Sequence, residues 1–210
     1  MTESQSTVFI VDDDQAVRDS LRWLIESVGH AVKTYDNAQS FIDSYDPKVS
    51  GCLILDVRMP GMSGLDLQAK LKDMDAHLPV IIITGHGDVP MAVRAMKNGA
   101  LDFVEKPFSD QILLERIDEA LKIDSVAKDE HERTAEAQKH YETLTPRERE
   151  VMWLVVEGKA NKVIAFDLEV SMKTVEAHRG KVMRKMKCRS LSELVRKSQL
   201  IDPSEDKLEA

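Results

Sequence analysis

A doubly wound α/β domain with a five-stranded parallel sheet, followed by an all-α domain of four short helices, is the fold this sequence predicts. Three observations carry it. Short β-branched apolar runs alternate with helical stripes through the first half. Carboxylates, a threonine and a lysine stand where those apolar runs stop. The second half shows helical stripes only, and there the balance of charge changes sign.

The elements follow in order. Val8–Val11 is a short apolar run of the kind a buried parallel strand needs. Val17, Leu21, Leu24, Ile25 and Val28 then recur at helical spacing, and Gly29 ends that helix. Ala31–Tyr35 is a second strand, and Ala38, Phe41, Ile42 and Tyr45 make a second helical stripe. Leu53–Leu55 is a third strand, followed by a Pro60-Gly61 turn and a helix carrying Leu65, Leu67 and Leu71. Val80–Ile83 is the fourth strand, and Val93 and Met96 mark the next helix. Asp102–Lys106 is the fifth strand, and Ile112, Leu113, Ile117 and Leu121 mark the fifth helix. Strands alternating with helices in this way build a parallel sheet covered on both faces.

Composition narrows the class. Hydrophobic residues are 42% and charged residues 31% of the 210, enough for packed cores and against wholesale disorder. No apolar run approaches the roughly 18 residues of a membrane helix. The polar start, Met1–Thr7, lacks the pattern of a signal peptide. Cys52 and Cys188 lie far apart, with no CxxC or His cluster beside them, which argues against a disulfide framework and a structural zinc site. A soluble, cytoplasmic, reduced protein with no membrane partner is expected. The net charge of −8 hides a division: residues 1–122 carry 12 Lys and Arg against 20 Asp and Glu, whereas residues 144–200 carry 13 against 7. An acidic module is followed by a basic one, which points to an electrostatic partner for the second.

In a doubly wound sheet, ligands bind beyond the carboxyl ends of the strands. Here the first strand runs into Asp12-Asp13-Asp14, the third ends at Asp56, the fourth at Thr84, and the fifth at Lys106-Pro107. Crowded carboxylates repel unless a cation joins them. Hard oxygen donors of this kind suit Mg²⁺, which takes one or two carboxylates, waters and a phosphate oxygen. An Asp beside that metal can accept a phosphoryl group, with Lys106 and Thr84 holding its oxygens.

Asp12-Asp13, Leu55–Gly64, Thr84-Gly85 and Lys106-Pro107-Phe108 together resemble the receiver domain of bacterial two-component response regulators, a flavodoxin/CheY-like fold, over residues 6–122. The resemblance implies that Asp56 is the phosphoryl acceptor. It implies that Asp13 and Asp56 ligate Mg²⁺ with the Arg58 backbone carbonyl, and that Asp12 helps through a water. Lys106 would pair with the phosphoryl oxygens, Thr84 would move to meet them, and Phe103 would change rotamer with it. Asp14 is left as a helix cap. Phosphatases of the haloacid dehalogenase type also use a strand-terminal Asp, but they place a general-acid Asp two residues later, where this chain has Arg58. The expectation is a phosphoryl acceptor with at most slow self-dephosphorylation, and not an enzyme.

Residues 123–143 lack apolar periodicity, Pro and Gly, and read as a solvated helix extending the fifth or as a charged flexible linker. Thr145-Pro146-Arg147-Glu148 is then a capping box with Pro at the first helical position. Val151, Leu154 and Val155 form a buried stripe. A short helix covers Asn161–Asp167, Ser171 caps a longer one running to about Lys187, and Leu191, Leu194 and Val195 mark a fourth. In the longer helix Val175, His178, Val182 and Met186 form the buried stripe, with His178 a core or capping residue. Opposite lie Lys173, Glu176, Ala177, Gly180, Lys181 and Arg184. Gly180 fits either a surface that comes close to DNA or a helix that tolerates it.

Leu144–Glu148, Asn161-Lys162 with Ile164-Ala165, and Lys173–Arg179 resemble the LuxR/NarL-type helix-turn-helix output domain, over residues 144–200. That resemblance implies Glu176, Ala177 and Gly180 at base edges, and Lys173, Thr174, Arg179, Lys181 and Arg184 on phosphates or bases. Glu176 would accept from a cytosine amine or fix a neighbouring Arg; a solvated Glu is the alternative. With the run Gly85–Val93, the whole chain resembles the FixJ/StyR branch of these regulators. The partners implied are a sensor histidine kinase, double-stranded promoter DNA, and a second copy of the chain. The dimer face would be the fourth helix, fifth strand and fifth helix, with Met91, Arg94, Lys97 and Phe103. RNA polymerase is a further partner the resemblance admits. Residues 201–210 form an acidic tail. The different-class alternative is a signalling adaptor whose output helices bind protein.

Overall fold

The structure, a computed structural model, describes residues 6–74, 76–85 and 87–201. His86 and the acidic tail beyond Ile201 lie outside the described residues, as do residues 1–5. The chain divides into two compact units between Lys128 and Asp129.

The first unit contains β1 (Thr7–Val11), α1 (Gln15–Ser27), β2 (Ala31–Tyr35), α2 (Ala38–Ser44), β3 (Gly51–Asp56), α3 (Gly64–Asp73), β4 (Val80–Thr84), α4 (Val89–Lys97) and β5 (Asp102–Glu105). The long α5 (Asp110–Glu142) begins there and ends in the second unit. The sheet is all parallel, in the order β2-β1-β3-β4-β5. Side chains alternate across it, as the two-residue period requires. Val8, Ile10, Cys52, Ile54, Ile81, Ile83 and Val104 pack with Leu21 and Ile25 of α1 and Leu113 and Ile117 of α5. Phe9, Val11, Leu53, Leu55 and Ile82 pack on the other face with Phe41 of α2, Leu67 and Leu71 of α3, and Ala95 of α4.

Short polar side chains start the helices. Asp14, Asn37, Ser63 and Asp88 each accept backbone N–H groups at the head of α1, α2, α3 and α4. Asp14 is therefore a cap, as the sequence indicates. Helix α4 carries Val93 and Met96, as the sequence indicates, but both are exposed, at 46% and 49%, with Val89 at 76%. Only Ala95 of this helix is buried. Apolar spacing identifies a helix but cannot say which apolar face meets the sheet.

Residues 123–142 are helical and continue α5, which settles the sequence alternatives in favour of the helix. The contacts of the first unit run on past Lys122 to Lys128. Asp124, 2% exposed, accepts hydrogen bonds from the Ser50 hydroxyl and, at 2.8 Å, from Gly51 N. One turn on, Lys128 Nζ donates to the Lys48 carbonyl at 3.2 Å.

The second unit packs the end of α5 with α6 (Pro146–Val156), α7 (Asn161–Asp167), α8 (Met172–Lys185) and α9 (Leu191–Ser198). Its core includes Tyr141, Val151, Met152, Ile164, Val175, Val182, Met186 and Leu194. Trp153 Nε1 donates to the Tyr141 hydroxyl at 3.0 Å. The capping box forms as the sequence indicates, Thr145 and Glu148 each accepting the other's backbone N–H. Glu148, 3% exposed, also pairs with Lys185 of α8 at 2.6 Å. Burial alone would raise its carboxyl; Lys185 and the Thr145 groups bring it below the ordinary carboxylate value.

Candidate functional sites: an acidic cleft and a basic helix face

The chain leaves β1 toward β2 on one side and continues to β3 on the other. That makes the β1/β3 carboxyl edge the switch point where a doubly wound sheet opens a crevice. Asp12 follows β1 and is 1% exposed; Asp56 ends β3 and is 6% exposed. Lys106, following β5, reaches both, its Nζ 2.8 Å from Asp12 Oδ2 and 2.9 Å from Asp56 Oδ1. The other Asp12 oxygen accepts from Asp14 N at 2.9 Å, and the other Asp56 oxygen from Arg58 N at 2.6 Å.

These contacts set the charges. Burial raises the Asp56 carboxyl above its ordinary value and the Asp12 charge adds to this, while Lys106 and the Arg58 N–H oppose it. Burial alone would lower the Lys106 ammonium, but the hydrogen bonds and charges of Asp12 and Asp56 raise it. A buried carboxylate at a strand end, held by one cation and one N–H, is an oriented oxygen nucleophile. Thr84, at the end of β4, is 1% exposed. Phe103 is half-buried on β5.

Asp13 and Arg58 are exposed and line an open cleft of about 710 Å³ with Met59, Pro60, Ser63, Asp88 and Met91. Among the described residues no three Asp, Glu, His or Cys side chains form a ready-made metal cage. Mg²⁺ does not require one, because it keeps several waters and takes only one or two carboxylates. The donors on hand, two aspartates flanking Lys106, an exposed Asp13 and the Arg58 carbonyl, are all hard oxygens and fit that ion.

Two supports of this cleft escaped the sequence reading. Arg18 of α1 donates from Nη1 to the Asp12 carbonyl at 2.6 Å, which fixes the turn carrying the acidic pair. Gly64 lets α3 start against the end of β3, since a Cβ there would stand 2.1 Å from the Asp56 carbonyl oxygen. The Pro60–Gly64 run signals a turn, but only the coordinates show why its last residue is glycine.

In the second unit α7 and α8 are joined by a tight turn in which Glu169 takes a left-handed conformation, φ 53°. Ser171 caps α8, its hydroxyl accepting from Thr174 N at 3.1 Å. Lys173, Glu176, Ala177, Gly180, Lys181 and Arg184 are all exposed, while Val175 and Val182 face the core. Thr174 is half-buried, its hydroxyl 2.8 Å from that of Ser171. Arg179 has a partner within the unit. It is half-buried and its Nη1 donates to Asn161 Oδ1 at 2.6 Å, so it braces α8 against α7. Its position in sequence cannot distinguish a brace from a phosphate contact. His178 is half-buried, consistent with a core-edge residue.

Comparison with known proteins places both units. Residues 8–118 match the response regulator receiver domain, and residues 142–198 match the bacterial regulatory proteins of the luxR family. The response regulator protein TodT of Pseudomonas putida F1 is 43% identical over 204 residues, 97% of this chain and 90% of that one. The transcriptional regulatory protein FixJ of Rhizobium meliloti is 47% identical over 191 residues, 90% of this chain and 93% of its own length. Among solved structures, the response regulator StyR matches with a TM-score of 0.87 at 42% identity, covering 94% of this chain and all of that one. The chain therefore belongs to the response regulators of the FixJ/StyR branch, a receiver domain joined to a LuxR-family DNA-binding domain.

Proposed function

We propose that a sensor histidine kinase transfers a phosphoryl group to Asp56 and that this controls promoter binding by α8. The observation that carries the reading is the buried Asp56 carboxylate, held at the end of β3 by Lys106 and the Arg58 N–H. In the transfer, an Asp56 oxygen forms the new P–O bond as the histidine P–N bond breaks. Lys106 is placed to follow the incoming phosphoryl oxygens, and Thr84 to hydrogen-bond them. Asp13, Asp56 and the Arg58 carbonyl would hold Mg²⁺, with Asp12 acting through water. Bound there, Mg²⁺ supplies charge neutralisation for the phosphoryl oxygens. The protein acts as an acceptor with at most slow self-dephosphorylation.

Residues 6–122 form the receiver in this reading, 123–143 the helical linker, and 144–200 the DNA-binding domain. Lys173, Lys181 and Arg184 take phosphates, with Thr174 beside them; Glu176, Ala177 and Gly180 face base edges; and Arg179 holds α8 in place for them. A phosphorylation-dependent homodimer through α4, β5 and α5 is supported by the exposure of Val89, Val93 and Met96. Arg94 on that face is already paired with Asp66 of α3 at 2.8 Å, which leaves Met91, Lys97 and Phe103 of the expected set without that tie. The luxR-family match of the second unit, a DNA-binding domain, supports a cytoplasmic site of action. RNA polymerase is the partner a promoter-bound form would meet.

Intact-mass analysis with a small phosphodonor and Mg²⁺ tests the acceptor. The wild type should gain one phosphoryl group and Asp56→Asn none; phosphate on another residue of the wild type overturns the assignment. Footprinting with and without phosphodonor tests the output.

A further inference from the structure

Three glycines in the first unit sit where an added Cβ would collide. At Gly51 and Gly64 the obstacle is backbone. At Gly87 it is a side chain, the ring of Phe103. An ideal Cβ on residue 87 would stand 2.9 Å from Phe103 Cε1, 3.2 Å from Cζ and 3.4 Å from Thr84 Cγ2. The backbone at Gly87 is not in the left-handed region, so conformation does not demand glycine there. The requirement is room.

The sheet register explains the meeting. Phe103 pairs with Ile82, and Thr84 pairs with Glu105. Ile82 and Thr84 are two residues apart on β4, so their side chains share one face, and Phe103 is the diagonal neighbour of Thr84 on that face. Phe103 and Met91 of α4 both pack against the core cluster of that face. One ring thus lies diagonal to Thr84 at the end of β4, beside the loop that leads to α4, and against the core on which α4 sits.

We propose that Gly87 is a positioning residue: its missing side chain gives the Phe103 ring its seat beside Thr84, and that seat couples Asp56 to the output. The inference rests on the reading of Asp56 as acceptor and deepens it. An alanine at 87 moves the ring out of the seat. Phosphorylation then proceeds at Asp56, but the ring no longer reports it to α4.

The test uses the full chain labelled with 4-fluorophenylalanine, the Phe103 resonance being assigned by its loss in Phe103→Leu. Intact mass first establishes that wild type and Gly87→Ala both take one phosphoryl group. Failure of the wild type at this step sinks the acceptor reading itself. The Phe103 fluorine shift should then differ between wild type and Gly87→Ala before any phosphodonor is added. The ratio of promoter affinities with and without phosphodonor, on the order of 5–150-fold for such couplings, should fall toward one in Gly87→Ala. In a Phe103→Leu background the same substitution should change nothing further, because the ring it acts on is gone. An unmoved fluorine resonance, or a wild-type affinity ratio in phosphorylated Gly87→Ala, overturns the proposal. So does a Gly87→Ala effect that persists in full without the ring.

Discussion

In Lys106→Met the two buried carboxylates of the acidic cleft lose the cation they share. The contacts at 2.8 and 2.9 Å are each worth on the order of 6 kcal/mol at an effective dielectric near 20, before desolvation is counted. Most of that offsets the cost of bringing the charges out of water. Removing one partner of a fully buried group costs about 3–5 kcal/mol net. The Lys106 side chain keeps 22% of its surface in solvent, so the expected loss is smaller, about 2 kcal/mol. For a unit of this size that is a drop of about 6–8 °C in the receiver's Tm at pH 7 without Mg²⁺.

The sign of the pH dependence follows. Asp56 already sits above its ordinary value, and without Lys106 it rises further. A carboxyl raised in the folded state costs stability as pH climbs through its folded value, and returns that stability as pH falls. The deficit of the variant should therefore shrink between pH 7 and pH 5. Mg²⁺ should stabilise the variant more than the wild type, since it meets two carboxylates with no ammonium between them. Scanning calorimetry of the full chain at both pH values, with and without Mg²⁺, measures all three effects. A variant that unfolds with the wild type at pH 7 in the absence of metal, or a deficit that ignores pH, refutes the argument.

Further outcomes are expected in the second unit. Gly180→Ala should stabilise α8 by about 1 kcal/mol, because a Cβ there meets nothing within 4 Å. It should also weaken promoter binding, and an unchanged affinity in a titration would remove Gly180 from the DNA face. Glu169→Gly should gain about 0.5–1 kcal/mol in urea unfolding by relieving a left-handed residue at the end of α7, and an unchanged or lower midpoint would refute this. His140 is 8% exposed, and burial first, then Lys187, Lys197 and Lys139, hold its imidazole below the usual histidine value, with Glu136 opposing. The folded state thus resists its protonation, and stability should fall as pH drops below about 6.5. His140→Gln should lose less stability than the wild type between pH 7.5 and pH 5.5 in denaturant melts; an equal loss would clear His140.

Much of the receiver is legible because buried parallel strands are written as uninterrupted apolar runs, and Val8–Val11 and Val80–Ile83 are such runs. The acceptor site is legible for a related reason. Its residues stand where those runs stop, so Asp12, Asp56, Thr84 and Lys106 can be placed on one edge before any coordinate is known. What escapes is whatever depends on contacts between distant segments. Helix α5 holds through its middle without an apolar stripe of its own, because Ile117 and Ala120 bury it at one end and Ala137 and Tyr141 at the other. Arg179 stands in the run that resembles a DNA-reading helix, and nothing in that run shows its hydrogen bond to Asn161 on the preceding helix. Gly87 gives no sign in sequence that a ring from β5 needs its place.

The hydrogen bonds to Asp124 bear on where this receiver can be cut. A fragment ending at Lys122 would leave the Ser50 hydroxyl and the Gly51 N–H, both of them in buried residues, without their acceptor. Each orphaned group costs about 1–3 kcal/mol. Such a fragment would under-report the stability of the intact receiver, and mutational effects measured in it would be judged against a weakened reference. A fragment carried through Lys128 retains both bonds and the Lys48 contact, and is the shortest one whose melting speaks for the whole domain.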